Sequence, residues 1–334
     1  MKTKQTKSTK PRKSPRSAKN TKSANTTRAK SETTPQAAPT PSKFPITVSN
    51  PNKVFWPDEG YTKLQLIEFY ADIFLKLQPY VKDRILSLER CPDGMRGGCF
   101  YQKEAPSSLP PGTPTKRITH VGKAKSTNYV VGGSLATQLA LANLGCIAVH
   151  VSGSRASSLR KPDWVCFDMD PQSGKFSDAA RAGLRLKEVL DVLKLESFPK
   201  TSGSRGLHVF VPIKPETDVD EVLSFAESLV ARLAAQFPKE LTVEHSIAAR
   251  KQRVYLDPYR NGFGQTVVAP YSVRRRPKAP FSTPLAWSEV SPALDPSEFN
   301  LGNYAKRLSA PDPWQDFFKN RQSLTATINA LKKI

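Results

Sequence analysis

Asp163-Trp164-Val165-Cys166-Phe167-Asp168-Met169-Asp170-Pro171 reads as a short buried strand that ends on two carboxylates. Side chains alternate faces along a strand, so Val165, Phe167 and Met169 point one way. Asp168 and Asp170 point the other way, side by side. Two carboxylates at the end of an apolar strand repel each other and lose hydration, a cost that a cation between them offsets. Hard oxygen ligands suit Mg²⁺ or Mn²⁺, ions that keep waters and engage substrate phosphates. The competing reading makes Asp170-Pro171 the opening of a turn and Asp168 a loop cap. The Asp-x-Asp pair alone does not separate the two.

Downstream, Ser177 reads as the N-cap of a helix to about Lys194, with Ala179, Ala182, Leu186, Val189, Leu190 and Leu193 as its inward stripe. Lys200-Thr201-Ser202-Gly203-Ser204-Arg205-Gly206-Leu207-His208 then forms a Ser/Gly turn feeding a strand. Its hydroxyls, open N–H groups and Arg205 suit a triphosphate, although an isolated turn of this kind is more often an ordinary hairpin. His208 alternates away from Leu207, Val209 and Val211 and so faces the site. A second helix spans about Asp220 to Gln236. Lys251 to Asp257 reads as a strand that brings a third carboxylate, with Arg250, Arg253, Arg260 and Arg274-Arg275-Arg276 nearby in sequence. Carboxylates on apolar strands, arginines and a Ser/Gly turn are what metal-assisted nucleotidyl transfer requires.

Upstream, Ile46-Thr47-Val48 reads as a strand, and Thr62 with Gln65 carries a capping box for a helix to about Leu77. Lys63 falls on its first turn, beside free backbone N–H groups, and Lys53 offers a second cation. A solvent-facing lysine is the plainer reading there. Phe100 and Tyr101 sit among basic residues and glycines, as a base-stacking platform would. They equally fit a strand with one aromatic in and one out. Leu135 to Ala148 is a small-residue helix or strand ending at His150, which alone reads as a core histidine. Trp314 to Ile334 reads as one amphipathic helix packed on the body.

The first 43 residues hold twelve Lys or Arg against one acid, Glu32, so this tail carries half of the formal +22. It contains no large apolar residue after Met1 and cannot offset its ordering entropy, so disorder is expected. Residues 44–310 would then be the catalytic domain and 311–334 the packing helix. The body is basic too, which points to a polyanionic partner. Cys91, Cys99, Cys146 and Cys166 show no CxxC or Cys/His cluster, so no zinc site is suggested; at least two sit in apolar runs where buried thiols are ordinary, and a reducing interior is expected. Neither a membrane span nor a secretory signal is legible, and a cytoplasmic, nucleoid-associated protein is expected.

Seven blocks in order carry a resemblance: VSNPNKVFWP, YTK, FYQKEAP, WVCFDMDP, KTSGSRGLH, YLDPYRNGFGQT and VAPYSVRRRP. From about Ile46 to Leu308 the chain resembles the polymerase domain of bacterial DNA ligase D, in the archaeo-eukaryotic primase superfamily. The resemblance implies an α+β primase-polymerase fold, an N-terminal α/β part joined to a palm-like antiparallel or mixed sheet. It implies Asp168, Asp170 and Asp257 as ligands of two Mn²⁺ or Mg²⁺ ions. By the same motifs His150, Ser202, Arg205, His208, Arg250, Arg260 and Arg274 hold the incoming NTP or dNTP. Asn50, Lys53 and Lys63 grip a 5′-phosphate at a gap or break, and Phe100 with Tyr101 stacks on the template. Arg205 stands where a lysine is usual, which changes a point charge to a fork. Implied partners are gapped or broken duplex DNA, a DNA ligase in trans and Ku. The expected activity is template-directed, short-gap filling in DNA repair with a preference for rNTPs, by a stand-alone protein. The rivals are a non-catalytic end-binding module and another Asp-x-Asp enzyme, a haloacid-dehalogenase phosphatase or sugar-nucleotide transferase. A phosphatase wants Thr or Val where this chain has Gln172.

Overall fold

The computed structural model describes residues 43–119 and 125–331. The predicted disordered tail lies outside the described residues except for Lys43. The chain runs through β1 (Val54–Trp56), β2 (Tyr61–Thr62), α1 (Lys63–Val81), β3 (Leu86–Arg90), β4 (Phe100–Gln102), β5 (Thr115–Thr119), β6 (Ser126–Val130), α2 (Leu135–Asn143) and β7 (Cys146–Ser152). Then come β8 (Ser154–Arg155), β9 (Ser158–Pro162), β10 (Trp164–Pro171), α3 (Phe176–Val192), β11 (Phe198–Thr201), β12 (Leu207–Pro212) and α4 (Val219–Gln236). β13 (Leu241–Thr242), β14 (Val254–Asp257), β15 (Thr266–Val268), α5 (Tyr304–Ser309) and α6 (Thr325–Leu331) complete the order.

Two sheets frame the site. One is ordered β15-β7-β3-β4 and is antiparallel throughout. The other is ordered β11-β12-β10-β14-β13, antiparallel except for the parallel β13–β14 pair. β10 is central to this palm-like sheet, and its alternation divides two cores. Val165, Phe167 and Met169 pack with the apolar stripes of α3 and α4. Trp164 and Cys166 face the N-terminal core built on α1 and β7. Asp168 and Asp170 continue that second face beyond the point where the core ends. The architecture is therefore α+β, as expected.

Local expectations fail where tertiary partners intervene. Residues 46–48 are not a strand, because the Asn143 side chain donates to Thr47 O (3.1 Å) and accepts from Ser49 N (3.0 Å) in place of a ladder. α1 keeps its capping box but runs through Pro79 to Val81. The 135–148 stretch breaks into helix and strand at Gly145, whose φ is +79° and whose added Cβ would lie 2.8 Å from Pro92 Cα. α3 is capped by Lys175 rather than Ser177. β14 starts at Val254, not Lys251, since Lys251 and Gln252 both adopt positive φ (48° and 66°).

Among the described residues the C-terminal segment from Trp314 is helical over Thr325–Leu331 alone. Before that, Trp314 stacks on Phe317 at 5.0 Å and donates from Nε1 to Pro199 O (3.0 Å), so its aromatics bury from irregular backbone. Gln322 accepts from Lys214 N (2.9 Å) and donates to Pro212 O (3.1 Å), prolonging the edge beside β12. The segment packs on the body, but not as one helix. The four cysteines are not all thiols, as they would be in a reducing interior: Cys91 and Cys99 form a disulfide, with Cα atoms 4.4 Å apart. They extend the Arg90–Phe100 register pair of the β3–β4 hairpin by one step, which brings them face to face. Cys146 and Cys166 are buried thiols.

Candidate active site

Residues directly opposite in antiparallel strands share a face. Asp168 on β10 is paired with Asp257 on β14 and with His208 on β12, and His208 is paired with Lys200 on β11. Lys200, His208, Asp168 and Asp257 thus form one row across four strands, and Asp170 lies two residues further on the same face. His208, Asp168, Asp257 and Asp170 form the floor of a cavity of about 610 Å³, and Lys200 lies buried at the end of the row without lining it. The cavity gathers His150, Ser202, Arg205, His208, Arg250, Arg260 and Arg274 around the three acids, with Tyr101 at its wall.

The acids each lean on a cation or donor of the protein. Arg260 Nε lies 3.3 Å from both Asp168 Oδ2 and Asp257 Oδ2. His208 Nε2 is 3.2 Å from Asp168 Oδ1, and Arg250 Nη1 is 3.4 Å from Asp170 Oδ2. Burial opposes ionisation of Asp168, but the His208 N–H and the Arg260 guanidinium outweigh it and hold this carboxyl below its ordinary range. Burial and the Asp168 charge instead push Asp170 up. Burial also raises Asp257, with Arg260 opposing and Asp168 adding to the rise. Three full negative charges are therefore costly here without added positive charge. Among the described residues no three His, Cys, Asp or Glu side chains converge as a preformed metal cage.

The Ser/Gly turn is tightly built. Gly203 has φ +69°, and a Cβ there would meet Arg274 Cγ at 2.5 Å and Ser282 N at 2.9 Å. Ser202 Oγ accepts from Ser204 N (3.2 Å) and Gly206 N (3.1 Å), while Arg274 Nη1 donates to Ser202 O (2.8 Å). Ser202 N also donates to Gly206 O (2.9 Å), so three of the turn's N–H groups are internally satisfied, and its exposed cation is Arg205. Arg250 is buried, its guanidinium held by Glu244 O and His245 O and stacked 3.9 Å from the Tyr255 ring centroid. His150 meets Tyr101 edge-on at 5.6 Å, and its Nε2 is buried without a partner.

The DNA-directed candidates lie elsewhere. Asn50, Lys53, Lys63 and Phe100 do not line the cavity. Lys63 is 4% exposed, and its ammonium donates to Ser49 Oγ (3.0 Å) and Asn143 O (3.3 Å). Burial and the nearby Lys53 lower its pKa. Lys53 pairs with Asp93 at 2.5 Å. The expected free N–H groups at the start of α1 are taken: Lys63 N donates to Lys53 O (2.8 Å), Leu64 N to Pro51 O (3.0 Å) and Gln65 N to Thr62 Oγ1 (3.3 Å). Side chains, not the helix end, are what this corner presents. Phe100 (46% exposed) and Tyr101 (61%) both reach solvent, with Arg90 over the Phe100 ring at 5.5 Å.

Two site residues were not among the candidates. His245 lines the cavity and meets Tyr255 and Tyr259 edge-on; only the fold brings it there. Lys200 is 0% exposed, and burial lowers its ammonium to about 7. Burial and Lys200 together push His208 down to about 4, leaving a neutral imidazole at pH 7. Lys200 gave no local signal: only the β11–β12 pairing sets it beside His208.

An acid-bearing palm sheet facing an arginine-rimmed cavity, beside an antiparallel N-terminal sheet, is the primase-polymerase fold. The chain belongs to the family described as LigD, primase-polymerase domain, whose model matches residues 62–314. It is 30% identical over 287 residues to a bifunctional non-homologous end joining protein LigD of Bacillus subtilis (strain 168), covering 84% of this chain and 46% of that protein. It is 30% identical over 299 residues to a multifunctional non-homologous end joining protein LigD of Pseudomonas aeruginosa, covering 85% of this chain and 34% of that one. The chain spans less than half the length of these relatives. A solved structure, the polymerase domain from Mycobacterium tuberculosis ligase D in complex with DNA, superposes with a TM-score of 0.74 at 24% identity, covering 83% of this chain and 99% of that one.

Proposed function

We propose that the chain is a template-directed nucleotidyltransferase that fills short gaps at 5′-phosphorylated breaks in DNA, preferring ribonucleotides, within end-joining repair. The observation that carries this reading is the register that sets Asp257 opposite Asp168, with Asp170 beside them, on the floor of a cavity ringed by Arg205, Arg250, Arg260 and Arg274. In the reaction a primer 3′-hydroxyl attacks the α-phosphate of the nucleotide and pyrophosphate leaves.

The hard-oxygen donor set of Asp168, Asp170 and Asp257 fits Mn²⁺ or Mg²⁺. Bound there, such ions supply charge stabilisation for the phosphoryl oxygens and acidify the attacking hydroxyl. Arg260 and Arg250 now supply the positive charge beside these acids, and both are placed to turn to the triphosphate instead. His208 offers an N–H to an anionic oxygen, and Arg205 and Arg274 close the rim. The unpartnered Nε2 of His150 suits a ribose hydroxyl, which supports the ribonucleotide preference. Lys53 and Lys63, adjacent to Asn50, suit a 5′-phosphate, and exposed Phe100 and Tyr101 suit stacking on a template base. The names of the relatives support placing the activity in non-homologous end joining; a DNA ligase and Ku are proposed partners on the resemblance alone.

The test is extension of a short-gapped duplex bearing a 5′-phosphate, with rNTP or dNTP and Mn²⁺, by wild type and by the Asp168→Ala/Asp170→Ala variant. Metal-dependent extension by wild type alone is expected. Binding without extension, across metals and both nucleotide types, would overturn the enzyme reading and favour a non-catalytic end-binding module.

A further inference from the structure

We infer that Asn143 is a positioning residue for 5′-phosphate recognition: it holds the Lys63 ammonium through neutral oxygens alone, so that the charge stays available to an incoming phosphate. The inference rests on the proposed reading of Lys53 and Lys63 as the phosphate-gripping pair, and it names the residue that sets one of them.

Asn143 is the half-buried last residue of α2, 80 positions from Lys63 in sequence. Its carboxamide bridges two backbone groups of the N-terminal segment: Nδ2 donates to Thr47 O (3.1 Å), and Oδ1 accepts from Ser49 N (3.0 Å). A carbonyl can only accept and an N–H can only donate, so an amide fits both groups and a carboxylate fits one. Oδ1 also lies 3.2 Å from Ser49 Oγ and takes its hydroxyl proton. Ser49 Oγ then presents a lone pair to Lys63 Nζ (3.0 Å). Asn143 O accepts a second N–H of the same ammonium (3.3 Å). Through side chain and backbone, Asn143 therefore fixes both acceptors that Lys63 meets.

Neither acceptor carries a formal charge. α2 has no basic residue in its last turn, and its negative end takes cations from outside the helix. Asn143 O holds Lys63, and Leu144 O holds Arg90 through Nε (3.2 Å) and Nη2 (3.0 Å). Among the described residues no carboxylate pairs with Lys63, whereas Lys53 is paired with Asp93. Burial and the Lys53 charge both act against the Lys63 ammonium. A buried ammonium without counter-charge, near a second ammonium, is stabilised by an arriving anion. Two of its N–H groups are used to orient it, and the third is left for that anion.

Affinities for a gapped duplex with a 5′-phosphate and for its 5′-hydroxyl twin, read by fluorescence anisotropy, give the phosphate preference as a ratio. A merely structural role would lower both affinities together and leave the ratio unmoved. Wild type should prefer the phosphate by about tenfold or more, the effect of one charge-assisted hydrogen bond. Asn143→Asp keeps both bonds from Ser49 but sets a negative charge one hydroxyl away from Lys63, and should abolish the preference. Asn143→Ala frees the 47–49 segment and should cut the ratio by about threefold, the effect of one ordinary hydrogen bond. Ser49→Ala should cut it as well. The double variant Ser49→Ala/Asn143→Ala should fall no further than Asn143→Ala, because both act through one hold on Lys63.

A wild-type ratio persisting in Asn143→Asp, or losses that add in the double variant, would overturn the inference. Should neither Asn143 variant fold, an unmoved ratio in Ser49→Ala would overturn it by itself. A wild type without phosphate preference, matched by Lys63→Ala, would overturn the phosphate-gripping reading and this inference with it.

Discussion

Asp163→Asn removes the negative charge that anchors the start of β10. Asp163 is 1% exposed and Arg84 0%. Arg84 Nη2 and Arg155 Nε (2.7 Å) donate to the carboxylate, and Arg321 Nη2 reaches it at 3.5 Å. In the variant Arg84 keeps the carbonyls of Ser152 (3.1 Å) and Gly153 (2.9 Å) and the face of Trp164. It therefore stays hydrogen-bonded but becomes a buried cation without counter-charge. Breaking one partner of such a pair costs about 3–5 kcal/mol, and the surviving carbonyl bonds place this case near the lower end. Against a typical total of about 5–15 kcal/mol, that is a large fraction. Urea unfolding should show an unchanged slope and a midpoint lowered by about 1 M. Acid supplies a second arm. Burial opposes the Asp163 charge, but Arg84 and Arg155 outweigh it and hold the carboxyl below its ordinary value. A group with a depressed folded pKa stabilises above its unfolded pKa, about 4, and loses that contribution as pH falls through the folded value. The gap between wild type and variant should be full at pH 7 and shrink below about pH 4. A loss under about 1 kcal/mol at pH 7, or a gap that does not shrink in acid, would refute the reasoning.

Lys63→Ala should weaken binding to a 5′-phosphorylated gap far more than to its unphosphorylated twin, and flatten the dependence of log affinity on log salt by about 0.9, measured by fluorescence anisotropy. Gly203→Ala combines a positive φ with a Cβ driven into Arg274 and the Ser282 backbone, so it should cost about 1–3 kcal/mol in thermal unfolding and raise the nucleotide KM. Reducing the Cys91–Cys99 bond, with a sequence separation of 8, should lower stability by about 2.5 kcal/mol on the loop-entropy account, read as a fall in melting temperature with dithiothreitol that the Cys91→Ala/Cys99→Ala variant does not show.

What was legible in the sequence was what a single strand or helix decides for itself. The alternation of β10 separated the core-facing Val165, Phe167 and Met169 from Asp168 and Asp170, and alternation on β12 turned His208 toward the site. What was not legible depends on register between segments distant in the chain. Lys200 and Asp257 lie 57 residues apart in sequence, and only the pairings through His208 and Asp168 put them in one row. The same limit explains the misreadings. Asn143 captures the backbone at Thr47 and Ser49 and abolishes a strand that the local pattern favours. That side chain also brings Ser49 against the Lys63 ammonium, while Asn143 O accepts from Lys63 directly. One distant asparagine thus removes a predicted strand and holds a predicted phosphate ligand. Pro51 O and Lys53 O, from the loop that follows, fill the N–H groups at the helix start that local reasoning left free for an anion. A backbone site at that helix end is therefore closed, and any grip on a 5′-phosphate falls to the two ammonium groups. Ammonium groups are point charges without a fixed fork, so they read the presence of a phosphate and not its orientation. On the proposed function, orientation of the DNA would fall to the exposed surface of Phe100 and Tyr101. The disulfide one residue before Phe100 anchors that surface to the end of β3.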